Sequence, residues 1–331
     1  MRYRLLGQTG LRVSELFLGA MAFGRQSGGA SPGESRRMLE RYADAGGNVL
    51  DTAVNYQDGE SESILGELVE GRRDRFVLAT KYTCTRDATD LNAAGSHRKN
   101  LMLSLETSLR RLRTDYIDLY WVHVWDRHTP VEETMRALDD AVRAGKILYV
   151  GISDAPAWLV SHANTLAEWR GWTPFAGLQV PYNLLKRDIE RELLPMADAF
   201  GMSVATWSPL AHGVLSGRFT GEGSVGSRES AAASAVHEVA DELGASPAQV
   251  AIAWVRERSS MVHPIVGASN VKQLEDNLGA VDVQLPEEAV RRLAGAVEFD
   301  VGFPADFIDE ASRSVFGVDL PNLDGRSGNR W

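Results

Sequence analysis

Apolar runs of strand length alternate along the chain with amphipathic stretches of helix length. Eight runs are predicted to be strands, at residues 13–18, 48–53, 76–81, 116–123, 147–153, 174–183, 202–210 and 262–269. They are almost continuously apolar, which is typical of parallel strands whose outer face is covered by helices. Eight strand–helix units in a chain of this length predict a (β/α)8 TIM barrel, with a doubly wound open sheet as the alternative.

Three helix starts combine a capping residue, a proline at the first helical position and an acidic or amide residue at the third. They are Ser31-Pro32, Thr129-Pro130 and Ser246-Pro247. The capping side chain satisfies free amides at the helix start, and proline has no amide to lose there. Gly46 and Gly145 follow amphipathic runs and predict helix ends.

No linker divides the chain, so we expect one domain over 1–331. Three segments lie outside the strand–helix repeat. Residues 3–14 predict a β-hairpin that closes the bottom of the barrel. The long polar segment 211–233 is expected to cover a bound ligand, and 303–331 forms a tail.

Charge and cysteine content exclude several classes of protein. The net charge is −10, which argues against a nucleic-acid-binding surface. The single cysteine, Cys84, excludes a disulfide framework and a cysteine metal site. No apolar run approaches the roughly 20 residues that span a bilayer, and the N-terminus has no signal-peptide pattern. We therefore expect a cytoplasmic protein that binds neither nucleic acid nor membranes.

Candidate chemistry is sought where strands end, because TIM-barrel active sites lie at that face. Asp51, Lys81 and His123 end three successive predicted strands, and Tyr56 lies in the loop after Asp51. Each has an ordinary structural explanation, such as a turn cap, a solvated lysine, a core histidine or a loop aromatic. Their convergence on one pocket instead favours an acid–base site.

Four segments carry a family resemblance. They are 51–56 (DTAVNY), 59–66 (GESESILG), 79–81 (ATK) and 118–123 (DLYWVH). Together they resemble the signature motifs of the aldo-keto reductases, over residues 7 to about 285. The resemblance implies a (β/α)8 barrel that reduces carbonyl groups with a nicotinamide cofactor. It also implies a catalytic tetrad of Asp51, Tyr56, Lys81 and His123.

The chemistry of this tetrad is consistent with its residue types. Tyrosine has a pKa of about 10 in water, and an adjacent Lys81 ammonium is expected to lower the pKa of Tyr56. Asp51 would hold Lys81 in place. Tyr56 would donate a proton to the carbonyl oxygen, which His123 would also hydrogen-bond.

The resemblance also implies residues that contact the nicotinamide, the pyrophosphate and the adenosine of the cofactor. For the nicotinamide they are Ser153, Asp154, Gln179 and Trp207, and Ala20 and Met21 are further implied cofactor contacts. For the pyrophosphate they are Ser208, Pro209, Leu210 and His212. For the adenosine they are Gly267, Ser269, Gln273, Asp276 and Asn277.

Asp154 departs from the family pattern, which usually has asparagine at this position. It either contacts the nicotinamide or caps the helix that begins near Pro156, and the sequence leaves both explanations open.

Arg218 and Arg228 bear on cofactor choice. They resemble the basic residues that bind the 2′-phosphate in the subgroup that includes the potassium-channel β subunits. Two guanidinium groups form strong charge-assisted bonds to a phosphate, so we expect NADPH rather than NADH. The alternative is two solvated loop arginines. The G-x-G-x-x-G match at 221–226 is discounted, because it does not follow a predicted strand.

The predicted substrate wall is aromatic and apolar. Its main members are Phe23, Tyr82 and Trp125, joined by Met21, His212, Phe303 and Phe307. Such a wall favours a bulky or conjugated carbonyl compound over a small charged one. We expect either a polyketide-tailoring ketoreductase of secondary metabolism, such as antibiotic biosynthesis, or a general aldehyde reductase.

Two other functions remain open. One is an NADPH-binding regulatory module with little turnover. The other is a metal-dependent barrel hydrolase built on His123, Asp126 and His128, although the expected reductase needs no metal. The protein is a possible homo-oligomer, since members of the family range from monomers to octameric rings.

Overall fold

The computed structural model describes residues 1–26, 28–218 and 226–317. The strands in these ranges are β1 (Tyr3–Leu5), β2 (Arg12–Ser14), β3 (Phe17–Gly19), β4 (Val49–Asp51), β5 (Val77–Tyr82), β6 (Ile117–Val122), β7 (Ile147–Ser153), β8 (Phe175–Pro181), β9 (Ser203–Trp207) and β10 (Val262–Val266). Within the described ranges, strands β3 to β10 are parallel and close into an eight-stranded barrel, with β10 pairing back onto β3. The (β/α)8 prediction is confirmed, and the closed sheet excludes the open alternative.

Helices surround the barrel and pack against their neighbours. They are α1 (Pro32–Asp44), α2 (Glu60–Val69), α3 (Arg98–Leu112), α4 (Val131–Arg143), α5 (Ala157–Arg170), α6 (Leu193–Ala199), α7 (Ser227–Leu243), α8 (Pro247–Glu257), α9 (Val271–Leu278), α10 (Glu287–Gly295) and α11 (Ala305–Phe316). Among the helices in the described ranges, none is long and apolar enough to cross a membrane.

Two apolar cores follow from the alternation of side chains along each strand. On β5 the side chains of Val77 and Ala79 belong to the inner core, which also holds Trp121. Leu78 and Tyr82 belong to the larger core between the barrel and the helices. Each barrel strand therefore contributes to both layers.

The N-terminal hairpin closes the bottom of the barrel, as predicted. Strands β1 and β2 pair antiparallel, and Leu6 and Val13 are buried in the inner core. Gly7 donates a backbone hydrogen bond to Ser203 Oγ at 2.8 Å. A Cβ atom on Gly7 would lie 2.5 Å from the carbonyl oxygen of Ala176, so only glycine fits this approach.

Two of the three predicted helix caps form. Ser31 accepts a hydrogen bond from the amide of Glu34, and Ser246 forms a reciprocal capping box with Gln249. The predicted cap at Thr129 is wrong. Pro130 occupies the cap position of α4, and the Thr129 hydroxyl donates to Asp126 Oδ2 at 2.5 Å.

The segments outside the repeat are described in part. A 3-10 turn covers Ala211–Ser216, and α7 begins at Ser227, while 219–225 lie outside the described residues. The tail begins with α11, and 318–331 also lie outside them. Arg191 donates to the carbonyl oxygen of Asp300 at 2.8 Å, which places the start of the tail beside the loop after β8. The assignment of 1–331 to one domain stays a prediction.

Candidate active site

Four polar side chains meet at the end of the barrel where the strands terminate. Asp51 is the last residue of β4 and pairs with Ala79, whereas Lys81 on β5 pairs with Trp121 on β6. His123 follows β6, and Tyr56 begins a 3-10 turn after β4. The structure therefore brings together the four residues that the sequence nominated for acid–base chemistry.

Lys81 and Asp51 form a buried ion pair. The Lys81 side chain is fully buried, and its Nζ atom donates to Asp51 Oδ1 and, at 2.8 Å, to the carbonyl oxygen of Thr52. The other Asp51 oxygen accepts from Gln179 Nε2 at 3.0 Å. Both carboxylate oxygens are thus engaged, and the ammonium has a fixed position.

Tyr56 and His123 lie next to this pair. Tyr56 Oη is 3.5 Å from His123 Nε2, and the two rings meet edge to face with centroids 5.6 Å apart. Lys81 Nζ is 4.9 Å from the centre of the Tyr56 ring. The phenol, imidazole and ammonium groups therefore converge on one small volume.

The pKa of Tyr56 differs from the sequence expectation. Burial raises the pKa of Tyr56, and the positive charge of Lys81 opposes this effect without overcoming it. Lys81 does act in the expected direction, but the net lowering that we expected is wrong. The hydroxyl is buried, and desolvation penalises the phenolate more than the ammonium stabilises it. Tyr56 therefore keeps its proton at neutral pH.

The neighbouring groups have well-defined charge states. Burial, assisted by the Lys81 charge, lowers the pKa of His123 to about 3, so the imidazole is neutral at physiological pH. Burial also lowers the pKa of Lys81, but Asp51 and Tyr56 outweigh it and the net pKa is raised. The site combines a protonated lysine, a neutral histidine and a neutral tyrosine.

The loop that carries Tyr56 is tightly folded and externally held. Gln57 and Asp58 both have φ of 53°, a left-handed conformation that is costly for these residues. Arg111 on α3 donates to the carbonyl oxygen of Val54 at 2.7 Å and to Glu62 Oε2 at 3.2 Å. Glu62 and Arg111 thus tie this loop to α2 and α3.

No functional role was predicted for Glu62 or Arg111, although Glu62 lies within the motif 59–66. Glu62 is fully buried and accepts from Thr80 Oγ1 at 2.7 Å. Its signal in the sequence is an acidic residue on the face of α2 that also carries Leu65 and Val69, where an apolar residue is expected. Such a residue needs a buried partner, but the pattern does not identify Arg111 as that partner.

Three residues proposed to contact the nicotinamide lie at or near the ends of neighbouring strands. Ser153 on β7 pairs with Gln179 on β8, and Pro181 on β8 pairs with Trp207 on β9. Gln179 also contacts Asp51, so these residues adjoin the acid–base cluster. They present a hydroxyl, a carboxamide and an aromatic ring side by side, which fits the polar amide and flat ring of a nicotinamide.

The structure excludes one of the two explanations for Asp154, that it caps α5. Pro156, not Asp154, is the cap residue of α5. Asp154 has φ of 47°, and its Oδ1 accepts from the indole nitrogen of Trp207 at 3.3 Å. The helix-cap explanation is therefore wrong, and Asp154 instead orients Trp207.

The proposed pyrophosphate segment makes a tight turn. Ser208 and His212 have φ of 54° and 55°, and the carbonyl oxygen of Ser208 accepts from Asn183 at 2.9 Å. Pro209 and Leu210 lie within this turn. Arg218 and Arg228 are exposed on the two sides of segment 219–225, which lies outside the described residues.

The proposed adenosine residues lie just before α9 and along it, and hydrogen bonds join two pairs of them. Gln273 Oε1 accepts from the amide of Ser269 at 3.0 Å, and Asn277 donates to the carbonyl oxygen of Gly267 at 3.1 Å. Asp276 Oδ1 accepts from Gln249 at 3.2 Å. Near β3, the last two cofactor candidates differ in exposure: Ala20 is buried and Met21 is exposed.

Two of the predicted substrate-wall residues are placed elsewhere. Tyr82 is fully buried on the outer side of the barrel, where its ring stacks on Tyr120 and its hydroxyl donates to Ser96 at 3.2 Å. Strand alternation explains this, because Lys81 points inward and the next side chain must point outward. Phe23 is likewise buried in the outer core. Both assignments to the substrate wall are wrong.

The other wall candidates keep some surface. Trp125 is half-buried and contacts Trp158, which the sequence analysis missed because its position is that of an ordinary helix residue. Phe303 and Phe307 are exposed at the start of the tail. His212 lies in the turn after β9.

The metal alternative gains no support from the part of the chain that the structure describes, since it contains no group of three His, Cys, Asp or Glu side chains placed to hold a metal ion. Asp126 accepts hydrogen bonds from the amides of Ser96 and His128 and from Thr129. Its carboxylate therefore organises a loop.

Comparison with known proteins gives a consistent result. Residues 15–298 match the model of the aldo/keto reductase family. Norsolorinic acid reductase stcV of Emericella nidulans is 41% identical, over 94% of this chain and 85% of its own length. Aldo-keto reductase ausK of Aspergillus calidoustus is 37% identical, over 93% of this chain and 85% of its own. Putative aryl-alcohol dehydrogenase AAD14 of Saccharomyces cerevisiae is 36% identical, over 93% of this chain and 90% of its own.

Proposed function

Because this chain belongs to the aldo/keto reductase family and is an oxidoreductase, we propose that it reduces aromatic aldehydes or ketones to alcohols with NADPH. The relatives named as norsolorinic acid reductases and aryl-alcohol dehydrogenases support an aryl carbonyl substrate. The similarity to ausK supports a role in secondary metabolism. These names describe other proteins, so the substrate of this chain is a proposal.

The observation that carries the proposal is the contact between a neutral phenol and a neutral imidazole beside a buried ammonium. Tyr56 Oη lies 3.5 Å from His123 Nε2, and a carbonyl oxygen that accepts from both groups would sit between them. When bound, the cofactor supplies the hydride that the carbonyl carbon receives. Tyr56 donates its proton to the carbonyl oxygen, and Lys81 stabilises the resulting phenolate.

His123 has a positioning role in this proposal. With a pKa of about 3, it is not a proton donor at neutral pH, but its ring N–H orients the carbonyl oxygen. Asp51 holds the Lys81 ammonium, and Gln179 holds Asp51. These roles place one acid at the reacting oxygen and leave the remaining groups to fix its geometry.

The cofactor assignment is also a proposal. Ser153, Gln179 and Trp207 fit the nicotinamide, and Asp154 restrains Trp207. Arg218 and Arg228 are exposed and flank the segment proposed to cover the cofactor, which suits a 2′-phosphate. This arrangement favours NADPH over NADH.

The experiment follows NADPH and NADH oxidation by absorbance with aryl aldehydes and polycyclic aryl ketones. We expect turnover with NADPH, and a loss of at least about 100-fold in kcat for Tyr56→Phe with the Kd for NADPH unchanged. Tyr149→Phe, on the N-terminal half of β7, is the matched control and should retain activity.

Two outcomes would contradict the proposal. Saturable NADPH binding without turnover on any carbonyl would support the regulatory-module alternative. Full activity in Tyr56→Phe would show that another group supplies the proton.

A further inference from the structure

Two tryptophans that follow successive barrel strands meet at the active-site end of the barrel. Trp125 lies in the loop after β6, two residues beyond His123, and Trp158 lies in the first turn of α5, after β7. Their rings meet edge to face, with centroids 5.5 Å apart and an angle of 88°. Because both segments follow strands, the pair lies on the same face as Tyr56 and Lys81.

Trp158 leaves a large apolar surface open to solvent. Its side chain is 60% exposed, although the Trp125 ring supports one of its edges. Met21, Leu91 and Val124, in the loops after β3, β5 and β6, are also exposed. These exposed apolar side chains follow four different barrel strands and so lie on the strand-end face, which favours an apolar ligand there.

The Trp125 ring, which contacts Trp158, borders a small cavity. This cavity between the barrel and the outer helices is lined by Trp125, Val122, Ile152 and Leu159. The Trp125 ring is therefore incompletely packed on this side. On another side, the guanidinium of Arg127 lies 5.6 Å from the Trp125 ring centre, so oxygen substituents on a ligand would meet a positive charge.

We propose that Trp158, supported by Trp125, stacks on the part of an aromatic substrate remote from the reacting carbonyl. This subsite gives the enzyme its preference for polycyclic aryl carbonyl compounds over small aliphatic ones. The inference rests on the proposed function and adds the residues that determine substrate class. Trp158 acts through ground-state and transition-state binding of the ring system, away from the hydride and proton transfers.

The test compares 2-naphthaldehyde with butanal in the full chain with NADPH. Truncation of an aromatic side chain that stacks on a ligand ring removes both the buried ring surface and the ring–ring contact. We therefore expect Trp158→Ala to raise the KM for 2-naphthaldehyde about tenfold or more, with the KM for butanal changed less than about twofold. Trp158→Phe should recover most of the preference, because a smaller ring still stacks.

Trp169→Ala is the matched control. Trp169 lies on the same helix and is 75% exposed, but it belongs to the last turn of α5, at the opposite end of the barrel. Its replacement should change neither KM.

The outcomes separate this inference from the proposed function. If the wild-type enzyme reduces both aldehydes and Trp158→Ala changes both KM values equally or not at all, the subsite is wrong and the reductase stands. If the wild-type enzyme reduces neither aldehyde but binds NADPH, the proposed function fails and the subsite fails with it.

Discussion

Burial and charge compete at Tyr56, and burial is the larger effect. Lys81 stabilises the phenolate, but the hydroxyl has left water, so the pKa of Tyr56 is raised. A phenol that stays protonated can deliver its proton only as negative charge develops on the carbonyl oxygen. The surroundings of Tyr56 therefore keep it as a protonated phenol that can donate a proton, rather than as a phenolate in the resting enzyme.

This charge state predicts the pH profile of reduction. We expect kcat to stay flat between about pH 6 and 9, because the pKa of His123 is about 3 and that of Tyr56 lies above its ordinary ~10. Reduction should decline only at higher pH, where Tyr56 loses its proton. Alcohol oxidation needs the phenolate, so its rate should increase over the same high-pH range in which Tyr56 loses its proton.

Steady-state rates in both directions with constant ionic strength check this prediction. A fall in reduction with a midpoint near pH 6.5 that disappears in His123→Asn would show that His123 titrates in the working range.

At the scale of elements, α2 and α3 hold the Tyr56 loop through a buried acid–base contact. Arg111 reaches the carbonyl oxygen of Val54 and the buried carboxylate of Glu62. Burial raises the pKa of Glu62, with Arg111 and the hydroxyls of Ser108 and Thr80 opposing it. Two helices thus fix a loop that has left-handed residues and one catalytic candidate.

Arg111→Met tests this positioning role. Loss of the contact to Val54 should let the Tyr56 loop shift, and a displacement of about 1 Å at a reacting group costs on the order of 100-fold in rate. We expect kcat to fall about 10- to 100-fold, with the Kd for NADPH changed less than twofold. Arg110→Met, an exposed neighbour on α3, should leave both values unchanged.

A second variant separates positioning from folding. Arg111→Met leaves Glu62 unpaired, so the double variant with Glu62→Gln removes that buried charge and should recover stability but not kcat. If kcat recovers together with the melting temperature, Arg111 has only a structural role.

For the whole molecule, the two ends of the barrel have different tasks. The strand ends carry the polar cluster, whereas the opposite end is closed by the hairpin over an apolar core. His263 on β10 lies in this closed end, stacked on Phe17 and bonded to the carbonyl oxygen of Ser14 at 3.3 Å. Burial lowers the pKa of His263 to about 3.

The closed end predicts an acid-sensitive fold. Between about pH 6.5 and 3, the unfolded chain binds a proton at His263 that the folded chain does not, so the free energy of unfolding decreases as pH decreases. One such histidine contributes a slope of up to about 1.4 kcal/mol per pH unit. Urea unfolding from pH 7 to 4.5 should show this loss.

His263→Gln should reduce the acid slope without abolishing it, whatever its effect on stability at pH 7, because His123 also has a pKa lowered to about 3 and contributes to the same slope. His162→Gln is the control, because His162 is exposed on α5. Equal slopes in the wild-type protein and His263→Gln would show that other groups cause the acid sensitivity.

The architecture and the polar cluster could be predicted because their signals are local. Each of these signals can be recognised within a short stretch of sequence. This holds for the apolar runs, for capping residues such as Ser246, and for the strand-end positions of Asp51, Lys81 and His123. Strand alternation in a closed barrel then brings those strand ends together.

The rest depended on contacts between residues far apart in the chain. The sequence by itself determined that Asp51, Lys81 and His123 reach the mouth. The tertiary structure decided the charge state of Tyr56, the partner of Asp154 and the pairing of Trp125 with Trp158. The tertiary structure also places Tyr82 in the outer core instead of at the substrate wall. Desolvation and packing arise only when the barrel and its helices close around a side chain, so neither can be derived from local pattern alone.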